Sequence, residues 1–447
     1  MFEQQLSKEL LEFYFKKSYH HLNTGMDKIT RPHFETIRDN EYEIIRRKVT
    51  KKKYKFTKLK SIKLKNNRIV YIPTIRDRLV LDYLKDKLNT KYRIKYKDRN
   101  SIIKSIKNKL SYQMDFYIIR IDIKKFFPSI SQNKLLYKLK RSSIISSTDY
   151  YLIKEFIKVV DMGVPQGVSI SNPLSEIFLE ELDFEIKRVD QRVNFYCRYV
   201  DDILIVFNGQ FYQREKDELK KKIVSIIESY DLTINKEKLA ETPISQSNYI
   251  EFEYLGYKFS KTKNKLITSI TQKKLDTYLG KINKCFNEFI KEKRCNNIEN
   301  VNLLIERLNF LTNIQFLIKK DNFINKKTLV EYYKIKKIYS GFFYSYKYID
   351  KREFENLSRE IDIYIHNKIY SISKLVTNRE SKKVLYSISI NRNKQSNSVI
   401  PYCRFTRSEF IRRITFINNN TYQSQLRLMD FNELEKHYFT LLNISDL

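Results

Sequence analysis

Tyr199-Val200-Asp201-Asp202 decides the reading of this chain. It lies between two short apolar runs, Asn194–Tyr199 and Ile203–Phe207 (Ile-Leu-Ile-Val-Phe), each of strand length. Two adjacent carboxylates therefore fall at the tip of a tight hairpin whose arms are apolar enough to be buried. Unpaired anions at the junction of buried strands are costly, and a divalent cation is the natural reason to keep them. A third carboxylate, Asp122, ends another apolar run, Phe116-Tyr-Ile-Ile-Arg-Ile-Asp122. Antiparallel neighbours would bring the three within reach of two metal ions about 4 Å apart, an arrangement that activates a 3′-hydroxyl and stabilises a leaving pyrophosphate. Mg2+ takes hard oxygen ligands and keeps several waters, so two or three carboxylates suffice.

Composition narrows the class from there. The chain has 447 residues, 42% of them hydrophobic, which is enough for two or three cored units and excludes a disordered chain. Lysine and arginine number 86 against 52 acidic residues, a net charge of +34 that attracts polyanions, nucleic acid first among them. A lysine bias from AT-rich coding would raise glutamate as well, so it does not account for so one-sided a balance. Cys197, Cys285, Cys295 and Cys403 form no Cys-x-x-Cys pair and the five histidines no zinc spacing, which reads as reduced thiols in a cytosolic protein. The N-terminal stretch lacks the apolar core of a signal peptide, and no apolar run approaches a membrane span; a cytoplasmic location is expected.

Glycine and proline are scarce, seven of each, and cluster mid-chain at Pro73, Pro128, Gly163, Pro165, Gly167, Pro173 and Gly256. Residues 1–45 read mostly as helix, with a loop near Asn23-Thr24-Gly25. From Ile44 to Arg76 every charged residue is cationic. There, Tyr54, Phe56, Leu59, Ile62 and Leu64 nearly alternate with cations, Asn66-Asn67 offers a turn and Arg68–Ile72 a return strand: a basic ribbon suited to nucleic acid or triphosphate. Residues 77–111 read as helix with a basic loop. Further helices are expected from about Asn133, after Pro173 and over 213–229, with a short strand at Leu232–Ile234. Phe252–Phe259 and Lys265–Ile270 read as a hairpin. From 271 to 372 the pattern reads as helical, with Leu304, Leu308, Leu311, Ile314 and Ile318 as one apolar stripe. Polar loops are expected at Asn391–Ser398 and Asn418–Asn420.

Taken in order, these motifs resemble those of bacterial reverse transcriptases, the group of retron, group II intron, abortive-infection and defence-associated enzymes. Thr24-Gly-Met-Asp-Lys-Ile-Thr30 resembles the N-terminal extension motif of non-retroviral members. Arg68-Ile-Val-Tyr-Ile-Pro73 with Asp77-Arg78 resembles the fingers motif. Asp122-Ile-Lys-Lys-Phe126-Phe127-Pro-Ser-Ile resembles the first palm motif, and Gly163-Val-Pro165-Gln166-Gly167 with Ser171-Asn172-Pro173-Leu174 the second. Tyr199-Val-Asp201-Asp202 is similar to the third, Leu232-Thr-Ile-Asn-Lys-Glu-Lys238 to the fourth and Tyr254-Leu255-Gly256-Tyr257 to the fifth. The third carries Val200 where many bacterial members carry alanine. Ile338-Tyr-Ser-Gly-Phe-Phe-Tyr344 is reminiscent of abortive-infection and defence-associated members, and no Cys-rich or His-Asn-His nuclease segment follows.

The resemblance implies roles. Asp122 and Asp201 would be the main metal ligands and Asp202 the auxiliary one, for two Mg2+ ions that Mn2+ could replace. Arg68 would contact the incoming triphosphate, whose oxygens a guanidinium fits bidentately. Phe127 would be the steric gate against a 2′-hydroxyl, with Phe126 an ordinary core residue. Gln166 would sit over the incoming nucleotide. Lys238, with Lys236 as rival, would protonate pyrophosphate. The turn at Tyr254, Leu255 and Gly256 would grip the primer.

The expected fold is α+β, a right-hand polymerase: N-terminal extension and fingers over 1–115, a palm of antiparallel sheet plus helices over 116–262, a helical thumb over 263–345, and a mostly helical C-terminal extension over 346–447. The expected activity is RNA-directed DNA polymerisation with a bound structured non-coding RNA in anti-phage defence. The expected partners are that RNA, the DNA product, dNTPs, and a homo-oligomer or second defence protein, with no membrane. Untemplated or protein-primed DNA synthesis, and an RNA-binding scaffold without polymerase activity, are the competing readings.

Overall fold

Residues 6–19, 22–64, 67–235, 240–242, 249–262, 265–294, 301–324, 331–372, 375–377, 382, 384, 399–400, 402–417 and 423–442 are described by a computed structural model. Lys236, Lys238, Asn66 and the polar loops expected at 391–398 and 418–420 lie outside these residues. The chain divides into two compact units, Met1–Ile102 with Asn108–Ser247, and Ile103–Lys107 with Asn248–Leu447.

The first unit is built on a four-stranded antiparallel sheet of order β4-β5-β3-β6, with β3 (Phe116–Asp122), β4 (Val193–Tyr199), β5 (Asp202–Asn208) and β6 (Ala240–Thr242). The two central strands are buried along nearly their whole length. Their near-continuous Ile/Val/Phe runs reflect cover on both faces, where a one-sided strand would alternate. The register sets Tyr117 against Phe207, Ile119 against Ile205 and Asp122 against Asp202.

Helices surround this sheet. α1 (Lys8–Ser18), α2 (Arg31–Thr50) and α3 (Ile75–Lys91) precede it, with the two-stranded ribbon β1 (Lys60–Lys63) and β2 (Ile69–Ile72) between α2 and α3. The regular ribbon is shorter than the sequence pattern suggested, because Tyr54, Phe56 and Leu59 turn into the core ahead of it. α3 starts where Thr74 accepts the Asp77 N–H, a side-chain N-cap. Asp77 is itself buried and accepts from the Tyr54 hydroxyl at 2.7 Å and the Thr57 N–H at 2.9 Å. Gly25 lies against this cap, where a Cβ would sit 2.6 Å from Thr74 Cα, so the N-terminal motif buttresses the start of α3.

After α4 (Arg99–Leu110) come α5 (Phe126–Ser129), α6 (Gln132–Ser142), α7 (Ser147–Ile157), α8 (Ser171–Lys187) and α9 (Gln213–Ser229). α9 buries Leu219, Ile223 and Ile227, one face at a spacing of four. Leu232–Ile234 contributes a single bridge, Ile234 to Ile123, where a strand was expected.

In the second unit, β7 (Ile250–Tyr254), β8 (Tyr257–Lys261) and β9 (Leu266–Ile270) form an antiparallel meander. Phe252–Phe259 is therefore two strands, reversing at Leu255-Gly256. α10 (Gln272–Arg294) and α11 (Val301–Thr312) follow as expected. The helical pattern then fails: β10 (Ile314–Ile324) pairs antiparallel with β11 (Glu331–Ser340) and parallel with the short β12 (Val399–Ile400). Ile314 and Ile318 belong to β10, not to the stripe on α11. With Phe316 they fit a period of two as well as one of four. The Thr312 hydroxyl and the Asn313 amide bond back to the carbonyls of Leu308 and Asn309, competing with continuation of the helix.

α12 (Phe342–Ser345) and α13 (Lys351–Ser371) complete the middle of this unit. Asp350 joins Lys107 to Thr268 there, accepting from the Lys107 ammonium at 3.0 Å and the Thr268 hydroxyl at 2.8 Å. The terminal helices α14 (Arg407–Ile417), α15 (Gln423–Leu426) and α16 (Phe431–Leu442) bury Phe410, Ile414, Leu434 and Tyr438 with Leu303 of α11. Glu306, also buried on α11, accepts from Arg413 at 2.8 Å and from the Tyr438 hydroxyl at 2.7 Å. The C-terminal extension thus closes over α11. No helix among the described residues is long and apolar enough to cross a membrane.

Candidate active site

The site is built from strand ends in the first unit. Asp122 closes β3 and Asp202 opens β5, and the antiparallel register makes them direct cross-strand neighbours. Paired positions of this kind share one face of a sheet, with Cβ atoms about 5 Å apart. Asp201 lies at the tip of the β4–β5 hairpin, and its carbonyl accepts the Ile123 N–H at 3.1 Å. The Asp122 carbonyl accepts from Asn235 N–H at 2.8 Å, tying the fourth motif to the first. All three aspartates are partly exposed. The register thus sets Asp122 opposite Asp202, eighty positions away in the sequence, with Asp201 next to it in the turn.

The hairpin turn is strained. Tyr199 pairs with Asp202, leaving Val200 and Asp201 as a two-residue loop with Val200 at φ 61°. Positive φ at the first central position suits glycine; a β-branched residue there costs on the order of 1–2 kcal/mol. Arg198 braces the turn by donating from Nη1 to the Val200 carbonyl at 3.1 Å. The guanidinium is itself locked: Nη2 reaches Glu176 at 2.7 Å and Nε reaches Asp183 at 2.8 Å, both on α8. The Arg198 side chain is only 5% exposed, and these two carboxylates keep it fully charged despite burial.

The segments around Phe127, Gly163 and Gln166 close on the same end of the sheet. Phe127 is half-buried while Phe126 is core, as read from the sequence. The Phe127 carbonyl accepts the Val164 N–H at 3.0 Å, and Gly163, at φ 57°, packs so tightly there that a Cβ would meet the Phe127 oxygen at 2.2 Å. Only glycine fits that approach. The Gln166 carbonyl in turn accepts the Tyr71 N–H of β2 at 2.8 Å. The Pro165-Gln166-Gly167 turn therefore bridges the first palm motif and the ribbon whose return arm begins next to exposed Arg68.

Residues 49–259 match a family model described as reverse transcriptase (RNA-dependent DNA polymerase). This segment is a reverse transcriptase domain. Its family is one of RNA-directed DNA polymerases, and its fold is the reverse transcriptase palm. No curated protein matches the chain. Among solved structures, a truncated apo telomerase from Candida tropicalis has 16% identity and a TM-score of 0.35, over 47% of this chain and 54% of that one. A longer apo telomerase from the same organism has 13% identity and a TM-score of 0.38, over 87% and 65%. Telomerase from Candida albicans in complex with a TWJ fragment of telomeric RNA has 13% identity and a TM-score of 0.37, over 90% and 69%. The chain thus spans about half to two thirds of the telomerase chains it resembles, and a likeness this distant says nothing of its substrate or partners.

Two residues of the reverse transcriptase domain escaped the sequence reading. Arg198 is one. The other is Arg120, two positions before Asp122, which holds Asp202 through both carboxylate oxygens, Nε at 3.0 Å and Nη2 at 2.8 Å. A cation inside the buried run of β3 was the available signal, since such a charge needs a partner. Among the described residues no group of three His, Cys, Asp or Glu is close enough to hold a metal ion.

Lys238 lies outside the described residues. The Tyr254–Tyr257 turn of the second unit has Leu255 at φ 48° and Gly256 at φ 80°, the two positive values of a tight type I′ hairpin. Tyr254 and Tyr257 are fully buried, and the Tyr257 hydroxyl donates to the Ser345 carbonyl at 2.9 Å.

Proposed function

We propose that the chain is an RNA-templated DNA polymerase that adds dNTPs to a 3′-hydroxyl with two Mg2+ ions, Mn2+ substituting, and works with a bound structured non-coding RNA in anti-phage defence. One observation carries the polymerase reading: the register that sets Asp122 opposite Asp202, with Asp201 hydrogen-bonded beside them, inside a reverse transcriptase domain. The donor set fits divalent cations through Asp122 and Asp201, with Asp202 auxiliary, all partly exposed hard-oxygen ligands; water and substrate oxygens can complete such a shell. Bound ions would activate the attacking hydroxyl and stabilise the leaving pyrophosphate.

The protein's own groups do the rest. Arg68 binds the triphosphate, Phe127 blocks a 2′-hydroxyl, Gln166 covers the incoming nucleotide and Lys238 protonates the leaving group. The turn at Tyr254, Leu255 and Gly256 grips the primer. Fingers over 1–115, palm over 116–262 and thumb over 263–345 are the matching division of labour. Resemblance of Ile338–Tyr344 to abortive-infection and defence-associated members supports the defence role, and the +34 charge supports an RNA partner.

The test is primer extension by purified protein on a primed RNA template with all four dNTPs. Product complementary to the template is expected, and none from Asp201→Ala. Random or homopolymer product would mean untemplated synthesis. No incorporation, with RNA binding intact, would mean a scaffold. Sequencing the RNA that co-purifies names the template.

A further inference from the structure

A second feature of the first unit lies among its helices. The C-terminal ends of α3 and α9, the length of α6 and the C-terminal half of α8 frame a cavity of about 690 Å3 lined by no residue of the carboxylate strands. Small-ligand sites span roughly 300–1,000 Å3. Three ties hold it open. The Tyr92 hydroxyl meets Ser142 Oγ at 2.6 Å, Lys134 donates to the Ser229 carbonyl at 2.8 Å, and the Tyr230 hydroxyl donates to Glu185 at 2.8 Å. Buried Phe178 lines it, edge-on to Tyr230 with ring centres 6.2 Å apart.

The charges of the lining divide into matched and unmatched. Glu180 and Glu181 pair with Lys138 at 3.5 and 3.4 Å, Glu185 is held by Tyr230, and Lys134 pairs with Asp231. Lys91, Arg93 and Arg141 are exposed and enter no ion pair among the described residues. Beside them Tyr137 stands 66% exposed, a large ring that the core does not use.

We infer that this cavity is a second nucleic-acid site, taking single-stranded RNA with phosphates on Lys91, Arg93 and Arg141 and a base stacked on Tyr137. Cations that track a backbone beside an aromatic platform are what sequence-tolerant single-strand binding requires. An enclosed mononucleotide site would bury its stacking ring, whereas the Tyr137 ring is open on one side for a strand to pass. Net charge of +34 favours a polyanion over an acidic peptide. The inference draws on the RNA-binding side of the polymerase reading and not on its chemistry.

The test is fluorescence anisotropy of the full chain with an end-labelled, unstructured 20-nucleotide RNA, across a salt series, alongside primer extension at saturating primer–template. Arg93→Gln with Arg141→Gln is expected to weaken RNA binding by at least about tenfold and to flatten the log–log salt slope by about 1.4, because two phosphates of a single strand are no longer neutralised. Tyr137→Ala is expected to cost about fivefold or more with the slope unchanged. Extension rates should stay at the wild-type level. Unchanged RNA affinity in both variants overturns the proposal, as does displacement of the RNA by AMP at comparable concentration. Wild-type protein that binds RNA through these residues but extends no primer would sink the polymerase reading and leave this site standing.

Discussion

Arg120 grips Asp202 through both carboxylate oxygens, at 3.0 and 2.8 Å, one strand across from Asp122. Arg120 charge-matches Asp202, and on the proposed reading Asp122 and Asp201 are expected to be the main metal ligands with Asp202 the auxiliary one. Asp201→Asn is expected to lower the dNTP incorporation rate by at least about 10³-fold, the scale of a lost metal ligand. Asp202→Asn and Arg120→Gln are each expected to cost about 10–100-fold, the range for a supporting partner. Single-turnover extension checks the ranking, and titration of Mn2+ by electron paramagnetic resonance checks it without turnover. Equal losses at 201 and 202 would remove the asymmetry.

Phe127 is held at its backbone carbonyl by Val164 N–H and the close approach of Gly163, so the second motif fixes where its backbone lies. Phe127→Ala is expected to open space for a 2′-hydroxyl and bring ribonucleotide incorporation within about tenfold of the dNTP rate, since one steric clash is worth a few kcal/mol at most. The readout is the ratio of kcat/KM for matched dNTP and NTP pairs. An unchanged ratio would place the gate elsewhere.

Val200 occupies a backbone conformation that its branched side chain resists. Val200→Gly removes that strain, which offsets the greater freedom of glycine in the unfolded chain. Stability is expected to stay within about 0.5 kcal/mol of wild type, whereas Val206→Gly in fully buried β5 should cost at least about 2 kcal/mol. Urea midpoints compare the two. Extension should slow in the Val200 variant because the turn carrying Asp201 is loosened.

Arg198 is pinned between Glu176 and Asp183 and supports the same turn. Arg198→Met leaves two carboxylates without their cation. Both keep some access to water, so a loss of about 3 kcal/mol is expected, the low end for breaking a buried pair. The midpoint shift of urea unfolding reads it.

Much of this was legible because burial leaves a mark on composition. β3 and β5 announce themselves as apolar runs, and α9 by Leu219, Ile223 and Ile227. What could not be read depends on register or on competing periods. Arg120 meets Asp202 only once β3 and β5 are aligned, and Arg198 meets α8 only once β4 packs on it. The stripe through Ile314 and Ile318 satisfied two periods at once, and local bonds at Thr312 and Asn313 decided for the strand. The helix-lined cavity has no motif at all: its residues come from four helices and the turns that follow three of them.

Acid should loosen the first unit at a definable place. Hydrogen bonds from the Arg192 guanidinium hold the Asp190 carboxyl below its ordinary value. Glu215, bonded to the Tyr212 N–H and to Arg192, is lowered as well. A carboxylate whose folded-state value is depressed contributes stability that is complete above its unfolded value, near pH 4, and is lost as pH falls through the folded one. The urea midpoint should therefore drop between pH 5 and pH 3. Asp190→Asn should begin lower at pH 5 and fall less steeply, because the proton uptake that drives the loss has been removed. A parallel fall in wild type and variant would mean that other carboxylates carry the acid sensitivity.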